Sequence, residues 1–297
     1  MNVLKIQDVS KTYSNGTHAL NKMNLRIENG MFGLLGSNGA GKSSLMRSIA
    51  GLQSVDSGTI YFNDVNLIKN PEAIKHCLGY LPQEFGVLPK LSAFQLLDHI
   101  AILKGILNKN ERKEHIEYLL ERTNLTEHRN RYVATFSGGM KQRFGIAQAL
   151  LGKPKLIMVD EPTAGLDPEE RNRFHNLLSE ISEHIIVLLS THIVEDVREL
   201  CTKMAIIGRG KLIVEGKPSE LLSQLKGRVW KKTISRSELL FYQNRFNVIS
   251  VRLIEGKTHI HILSETSPDT HFLPVEPDLE DVFFSHSLHQ TKRGAYA

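Results

Sequence analysis

The sequence lacks the features that mark secreted, membrane-spanning and metal-cluster proteins. Its two cysteines, Cys77 and Cys201, are too few for a disulfide framework and show no metal-ligand spacing. The longest apolar runs, such as 185–189, fall far short of the ~20 residues that span a bilayer. Residues 1–5 contain no apolar segment of the signal-peptide type. We therefore expect a protein of a reducing compartment, whose membrane-spanning partner, if it has one, is another chain.

Repeats, low-complexity segments and a strong excess of one charge are also missing. The net charge is +5, which says little about partners beyond a solvated surface. Hydrophobic residues make up 41% and charged residues 23%, the proportions of an ordinary globular protein. A length of 297 residues suits one large domain and a smaller one.

Short apolar runs predict strands in the first and third quarters of the chain, at 4–9, 25–27, 31–35, 156–159, 185–189, 205–207 and 211–214. The runs at 156–159 and 185–189 are continuously apolar, which is typical of parallel strands covered on both faces. Residues from about 92 to 151 predict helices, and Ser92 with Gln95 predicts a capping box at the start of the first. Further strands are predicted at 229–234, 248–253 and 259–263. We expect a domain over residues 1–225, with a helical subdomain over about 85–151, and a separate α+β module over 226–297.

A glycine-rich phosphate-binding loop follows the strand predicted at 31–35. The segment Gly36-Ser37-Asn38-Gly39-Ala40-Gly41-Lys42-Ser43 matches the pattern G-x-x-x-x-G-K-[ST], and a helix is predicted to follow it. Backbone N–H groups of such a loop and the N-terminus of the helix bind phosphate oxygens. We expect Lys42 to reach the β- and γ-phosphates of a nucleotide and Ser43 to place its hydroxyl on Mg²⁺.

Two acidic residues end the apolar run Leu156-Ile157-Met158-Val159. A buried parallel strand carries Asp160 to its C-terminal end, where open α/β sheets bind ligands. There Asp160 is placed to hold Mg²⁺, and Glu161 to act as the general base on the attacking water. This pair is weak by itself and becomes specific only downstream of a phosphate-binding loop.

The segment Phe136-Ser137-Gly138-Gly139-Met140 resembles the signature sequence of the ATP-binding cassette (ABC) family, about 20 residues before the acidic pair. Family members usually carry Leu and Gln where this chain has Phe136 and Met140, departures that concern only the fine tuning of the rate or of the interface. Ser137 begins a helix whose free N–H groups form a second anion-binding terminus. In this family the signature caps the ATP held by a second subunit, which implies a head-to-tail dimer.

Four further elements occur in the order of that family. Tyr13 resembles the aromatic residue that stacks on adenine, although a half-buried tyrosine at a strand edge is an alternative. Gln83 resembles the glutamine that contacts Mg²⁺ or water, and Ala164-Gly165-Leu166-Asp167 resembles the loop that crosses the dimer interface. His192 resembles the histidine that contacts the γ-phosphate. The resemblance covers about residues 1–225.

The resemblance implies an α/β fold of the P-loop ABC type: a RecA-like mixed sheet core, an antiparallel β-subdomain and a helical subdomain, plus the small C-terminal α+β module. It implies ATP and Mg²⁺ as cofactors, with Ser43, Gln83 and Asp160 on the metal and Glu161, His192 and Lys42 in catalysis. The implied ATP-binding residues are Tyr13, Asn38, Gly39, Ala40, Gly41, Lys42, Ser43 and Ser44, with Ser137, Gly138, Gly139 and Asp167 acting across the dimer.

Two classes of function remain open for such a protein. The leading hypothesis is the motor subunit of a membrane transporter, bound to the inner face of the membrane from the cytoplasm. It would pair with a second ATP-binding subunit, which we expect to be a second copy, and with an integral membrane subunit contacted by Phe85, Val87 and Leu88, unless these pack in the core.

The tail, 277–284, resembles a segment of ABC-2-type exporters, but an amphipathic helix packing Leu279, Val282 and Phe283 on its own module would look the same. The alternative is a soluble ABC ATPase acting on nucleic acid, the ribosome or cofactor assembly, although no aromatic and basic groove for nucleic acid is visible.

Overall fold

The protein is described from a computed structural model, which covers residues 1–83, 86, 88–163 and 167–294, without the side chains of 287–294. The chain divides into two compact units, residues 1–212 and 213–297. The boundary predicted after residue 225 lies further along the chain, beyond a short helix at Pro218–Ser223. That predicted boundary stays a prediction, because compactness alone does not show where a folding unit ends.

The first unit contains the strands and helices predicted for it, together with strands at 57–62, 65–66 and 78–81 and helices at 168–181 and 194–200 that were not predicted from the sequence. Its strands are β1 (Val3–Thr12), β2 (His18–Glu28), β3 (Gly30–Leu35), β4 (Ser57–Phe62), β5 (Val65–Asn66), β6 (Leu78–Leu81), β7 (Leu156–Asp160), β8 (Ile186–Thr191) and β9 (Lys203–Gly208), with β10 (Lys211–Gly216) at the boundary. Its helices are α1 (Lys42–Ile49), α2 (Ala93–Leu103), α3 (Lys109–Arg122), α4 (Gly138–Leu150), α5 (Pro168–Ile181) and α6 (Val194–Leu200). An antiparallel sheet has the order β2-β1-β4-β5, and a second sheet has the order β10-β9-β3-β8-β7-β6.

The second of these sheets positions the candidate site. Strands β3, β7 and β8 are neighbours and run parallel, so their carboxyl ends meet at one edge. Every residue of β7 and β8 is buried, which explains the continuous apolar runs in the sequence. In register, Leu35 lies beside Thr191, and Asp160 lies beside Ser190. The phosphate-binding loop, the acidic pair and His192 therefore leave the sheet side by side.

Helices α2, α3 and α4 form the predicted helical subdomain. Ser92 caps α2 in the predicted capping box with Gln95, and this part has its own apolar core around the fully buried Phe144. Lys104, after α2, donates hydrogen bonds from Nζ to the carbonyls of Leu78 and Leu151 at 3.0 and 2.9 Å. It therefore ties the end of α2 to the start of β6 and the end of α4.

The second unit is an α+β module, as predicted. It contains α7 (Pro218–Ser223), β11 (Val229–Ile234), α8 (Leu239–Arg245), β12 (Val248–Ile254), β13 (Lys257–Leu263), β14 (Leu273–Pro274) and α9 (Leu279–Gly294). The sheet order is β12-β13-β11-β14. One face carries a small aromatic core in which Tyr242 contacts Phe246 and Phe272.

Helix α9 holds the acidic-aromatic tail segment, and its residues have structural roles within this module. Leu279 and Val282 are buried. Asp278 accepts a hydrogen bond from the backbone N–H of Asp281 at 2.9 Å, and the buried carboxylate of Asp281 accepts one from Nδ1 of His261 at 2.8 Å. The segment is thus the capped start of an amphipathic helix, the simpler of the two explanations considered for it.

Both cysteines are free thiols. Burial raises the pKa of the Cys201 thiol far above its usual range, and burial also raises that of Cys77, so neither thiolate forms readily. Across the described part of the chain, no helix combines the length and the apolar character that crossing a membrane requires.

Candidate active site

The loop between β3 and α1 can be built only with glycine at two of its positions. Gly41 has a φ of 107°, and a Cβ there would lie 2.3 Å from the carbonyl oxygen of Ala19. A Cβ on Gly36 would lie 2.7 Å from the carbonyl oxygen of Ile207. Glycine at these two positions lets the loop pass close to neighbouring backbone, and α1 begins directly after it with the free N–H groups of its first turn.

Lys42 is buried, and its ammonium group is held inside the curve of the loop. Its Nζ donates to the carbonyl oxygen of Gly36 at 2.6 Å and lies 3.5 Å from Oε1 of Glu161. The ammonium group of Lys42 therefore lies between the phosphate-binding loop and Glu161, and it contacts both.

The two acidic residues lie at the end of β7, as predicted. Asp160 is the last residue of the strand, and Glu161 follows with a φ of 51°, a left-handed conformation that residues other than glycine seldom adopt. A backbone hydrogen bond from Glu161 N to the carbonyl oxygen of Ser190, 2.8 Å long, holds this turn. Strained backbone of this kind concentrates at functional sites, where it aims a side chain.

His192 reaches the same carboxylate from the end of β8. Its Nδ1–H donates to Oε2 of Glu161 over 2.6 Å, and its side chain is half exposed. This bond leaves Nε2 of the imidazole directed away from Glu161. Glu161 thus receives His192 on one carboxylate oxygen and faces Lys42 with the other.

Two buried carboxylate oxygens at this edge accept no hydrogen bond from any of the described residues: Oδ1 of Asp160 and Oε1 of Glu161. Oε1 of Glu161 faces the Lys42 ammonium at 3.5 Å, whereas Oδ1 of Asp160 has no hydrogen-bond partner among the described residues and therefore points to a ligand or a cation. The donor set of Asp160, the Ser43 hydroxyl and the Gln83 amide oxygen consists of hard oxygen ligands of the type that Mg²⁺ prefers. These residues therefore fit the predicted magnesium site.

Tyr13 is held beside the phosphate-binding loop by two hydrogen bonds. Its hydroxyl lies 2.9 Å from Oγ of Ser44 and donates to Oε1 of Gln53 at 2.8 Å. Sequence reasoning missed Gln53, because nothing in its local pattern distinguishes it from a surface glutamine in a turn. Ser44 and Gln53 fix the phenol ring in one orientation at the mouth of the loop.

Removing the Tyr13 hydroxyl should weaken nucleotide binding while keeping the ring. Two neutral hydrogen bonds, each contributing about 0.5–1.5 kcal/mol, orient the ring, so losing both should cost about 1–3 kcal/mol, and we expect Tyr13→Phe to raise the KM for ATP by about 5- to 150-fold with kcat little changed. Steady-state ATPase kinetics measure both constants. Tyr132→Phe, at an exposed tyrosine of the helical subdomain, is the control. An unchanged KM in Tyr13→Ala would refute a role for this side chain in binding.

A cavity of about 230 Å³ brings most of the predicted site together, lined by Tyr13, Thr17, Ala19, Ser37, Asn38, Gly39, Ala40, Gly41, Lys42, Ser43, Ser44, Gln83 and Glu161. It contains residues 37–43 of the predicted phosphate-binding loop together with Tyr13, Gln83 and Glu161, whereas Gly36, Asp160 and His192 do not line it. A larger cleft of about 710 Å³ between α3, α4 and α5 contains none of them. The predicted site residues therefore lie in the smaller cavity and not in the larger cleft.

The signature residues stand apart from this cavity. Ser137, Gly138 and Gly139 begin α4, and Oγ of Ser137 accepts from the backbone N–H of Met140 at 3.3 Å. The unusual Phe136 is buried and packs edge-on to Phe144. Phe136, which stands where family members usually carry leucine, therefore packs as part of the core of the helical subdomain.

Asp167 also lies away from the cavity lining, at the N-cap of α5, where its carboxylate accepts from the N–H of Glu170 at 2.8 Å. The other residues of the predicted crossing loop, 164–166, lie outside the described residues, as do Phe85 and Val87. Leu88, the third predicted partner contact, is 58% exposed. Ser137 and Asp167 therefore do not line the cavity that contains the phosphate-binding loop.

Comparison with known proteins gives a consistent set of relatives. The model of the family described as "ABC transporter" matches residues 20–164. The linearmycin resistance ATP-binding protein LnrL of Bacillus subtilis is 36% identical over 227 residues, covering 76% of this chain and 72% of that protein. The uncharacterized ABC transporter ATP-binding protein YhaQ of the same organism is 32% identical over 298 residues, covering 95% and 97%.

Among solved structures, the dimeric bacterial ABC transporter cassette MJ0796 is similar, with a TM-score of 0.67 and 27% identity over 72% of this chain and 98% of that one. The same cassette in a post-hydrolysis state, bound to ADP and Pi, gives the same values. The residues matched by the family model include the phosphate-binding loop, Gln83 and Glu161.

Proposed function

The chain belongs to the family of ABC transporter ATP-binding proteins and is an ATPase, and from this premise we propose that it drives a membrane exporter. In this proposal two copies close around two ATP molecules, and hydrolysis followed by product release reopens them. The movement is transmitted to an integral membrane subunit, which places this chain at the cytoplasmic face of the membrane.

The arrangement around Glu161 is the observation that carries the hydrolytic part of the proposal. Its Oε2 accepts from His192 at 2.6 Å, while Oε1 faces the Lys42 ammonium at 3.5 Å. A carboxylate held between a phosphate-binding lysine and a histidine is oriented to take a proton from a water that attacks the γ-phosphate. We assign Glu161 as the general base, His192 as the residue that orients it, and Lys42 as the cation on the phosphates.

Mg²⁺ completes the proposed site. When bound, it supplies positive charge to the β- and γ-phosphate oxygens. Asp160, Ser43 and Gln83 would hold it, and the unmatched buried Oδ1 of Asp160 supports this assignment. Gln83 comes from the loop after β6, so it also links the metal to the helical subdomain that follows.

The position of the signature residues supports the dimer. Ser137, Gly138 and Gly139 present a helix N-terminus that is not part of this chain's own cavity. Such a terminus binds anions, and the similar MJ0796 cassette is described as dimeric. We propose that Ser137 and Asp167 act on the nucleotide of the second subunit.

Export is the finer part of the proposal. LnrL is a resistance protein by name, and YbhF of Escherichia coli, 35% identical over 242 residues, is named a probable multidrug ATP-binding protein, although this chain spans 42% of its length. The YhaQ similarity includes the C-terminal module. The tail, 277–284, resembles exporters of the ABC-2 type while also serving as the start of α9. No observation favours an action on nucleic acid or ribosomes.

Co-purification tests the transporter assignment. The tagged chain is expressed in its native host, membranes are extracted with mild detergent, and co-purifying proteins are identified by mass spectrometry. We expect one multi-span membrane protein in near-equal amount, and recovery of only soluble or ribosomal proteins would refute the proposal. Leu88→Asp should reduce that recovery, whereas Leu52→Asp, at a similarly exposed leucine, should leave it unchanged.

A further inference from the structure

A fully buried carboxylate on α6 lies at the centre of a polar cluster that the proposed chemistry does not use. Asp196 is 0% exposed. Its Oδ2 accepts from Oγ1 of Thr163 at 2.5 Å and lies 3.4 Å from Oγ1 of Thr191. Its Oδ1 accepts from Nε of Arg171 at 3.0 Å and lies 3.2 Å from Nε2 of His175. One carboxylate thus contacts four side chains.

These four partners come from the three segments that carry the proposed catalytic and interface residues. Thr163 follows Glu161 by two residues, and Thr191 directly precedes His192. Arg171 and His175 are one turn apart on α5, the helix that Asp167 caps. Asp196 therefore joins the ends of β7 and β8 to the start of α5.

Asp196 stays ionised in this environment, as such a connection requires. Burial opposes ionisation, but hydrogen bonds from His175 and Thr163 and the charge of Arg171 outweigh it, so the pKa of the Asp196 carboxyl lies below its usual value. A buried charge of this kind is tolerated only with several good partners, and losing it leaves those partners unmatched. The cluster therefore connects the three segments through one buried charge.

We propose that Asp196 is a positioning residue for ATP hydrolysis, which holds the segments bearing Glu161 and His192 in the geometry that orients the attacking water. This inference rests on the proposed function. The 2.6 Å bond between Glu161 and His192 spans two strand ends that are also connected by Asp196 through Thr163 and Thr191. Small displacements of a catalytic group are costly, because proximity and orientation contribute much of the rate.

The test is Asp196→Asn, which keeps the size of the side chain and removes its charge. We expect kcat to fall about 10- to 100-fold, by analogy with the cost of a small misplacement, while the KM and the Kd for ATP change little. Rates are expressed per nucleotide-binding site, and the number of sites is determined by titration with ATP. Unfolded protein, which binds no ATP, then does not lower the measured kcat. A kcat per site equal to that of the wild type would overturn the proposal.

A merely structural role is separated from positioning by a double-mutant cycle with Glu161→Gln. If Asp196 acts through Glu161, Asp196→Asn should have almost no further effect on the residual rate of Glu161→Gln. Losses that multiply independently would overturn the proposal. The matched control is Asp98→Asn, which breaks the ion pair with Arg112 in the helical subdomain, 2.5 Å long, and should lower the melting temperature without changing kcat per site.

A second variant covers the case in which Asp196→Asn does not fold. Thr163→Val removes the hydroxyl that donates to Asp196 and keeps the shape of the side chain, and we expect the same reduction of kcat without a change in KM, by a smaller factor. An unchanged kcat in this variant would count against the proposal. If the wild type itself does not hydrolyse ATP, or if Glu161→Gln turns over normally, the proposed function fails instead, so the two failures are distinguishable.

Discussion

Glu161→Gln is expected to lower kcat for ATP hydrolysis by about 10²- to 10⁴-fold, the contribution of a positioned general base. The amide oxygen of glutamine still accepts a hydrogen bond, so the contact with Nδ1 of His192 can persist. The variant cannot take a proton from water, however, so the product-forming step keeps only a residual rate. Binding of ATP does not need that proton, and we expect the Kd for ATP to change little.

The variant should also accumulate as a dimer with trapped nucleotide. If closure requires ATP and reopening requires hydrolysis, Glu161→Gln with ATP should elute from gel filtration at twice the monomer mass, with one nucleotide per chain. The wild type under turnover should remain mainly monomeric. Glu183→Gln, at an exposed position after α5, is the control and should behave as the wild type. Turnover at the normal rate in Glu161→Gln would sink the assignment of this residue as the base.

The parts of the site that lie close together in the sequence could be predicted from it. The phosphate-binding loop can be predicted from its local sequence pattern. Its glycines at positions 36 and 41 cannot be replaced, because the backbone there lies too close to Ile207 and Ala19 for a side chain. The acidic pair and His192 each follow a continuous apolar run, and such runs are parallel strands whose ends meet. The structure confirms this juxtaposition through the neighbouring strands β3, β7 and β8.

Contacts between distant segments could not be predicted in the same way. Asp196 lies in an ordinary amphipathic helix, and its partners Thr163, Arg171 and His175 show no shared pattern in the sequence. Their relation depends on the order of the strands, which no local propensity specifies. The contact of Gln53 with the hydroxyl of Tyr13 could not be predicted for the same reason.

The tail shows how one motif can be explained at two levels. Its acidic residues serve the fold of the second unit, because Asp278 caps α9 and Asp281 pairs with His261. These two roles belong to the fold of the module and do not depend on what the module does. The tail therefore favours export through its resemblance to exporters, and the identity of the membrane partner tests that assignment.

Lys42→Ala is expected to weaken ATP binding more than any other single substitution in the cavity. The Lys42 ammonium is buried, so its charge acts on phosphate oxygens with little solvent screening. Each lost charge-assisted hydrogen bond contributes about 1.5–3 kcal/mol, which raises the Kd for ATP by about 10- to 150-fold per contact. Equilibrium binding of a fluorescent ATP analogue measures the change.

A conservative replacement separates charge from packing at the same position. Lys42→Met keeps most of the apolar stem and removes the ammonium, so it should bind ATP as poorly as Lys42→Ala if the charge is what matters. Both variants lose the bond to the carbonyl oxygen of Gly36 and the ion pair with Glu161. Glu161 then remains buried without its cation, so the melting temperature should fall as well. Normal affinity for ATP in Lys42→Met, with the fold intact, would show that the phosphates are held by backbone N–H groups alone.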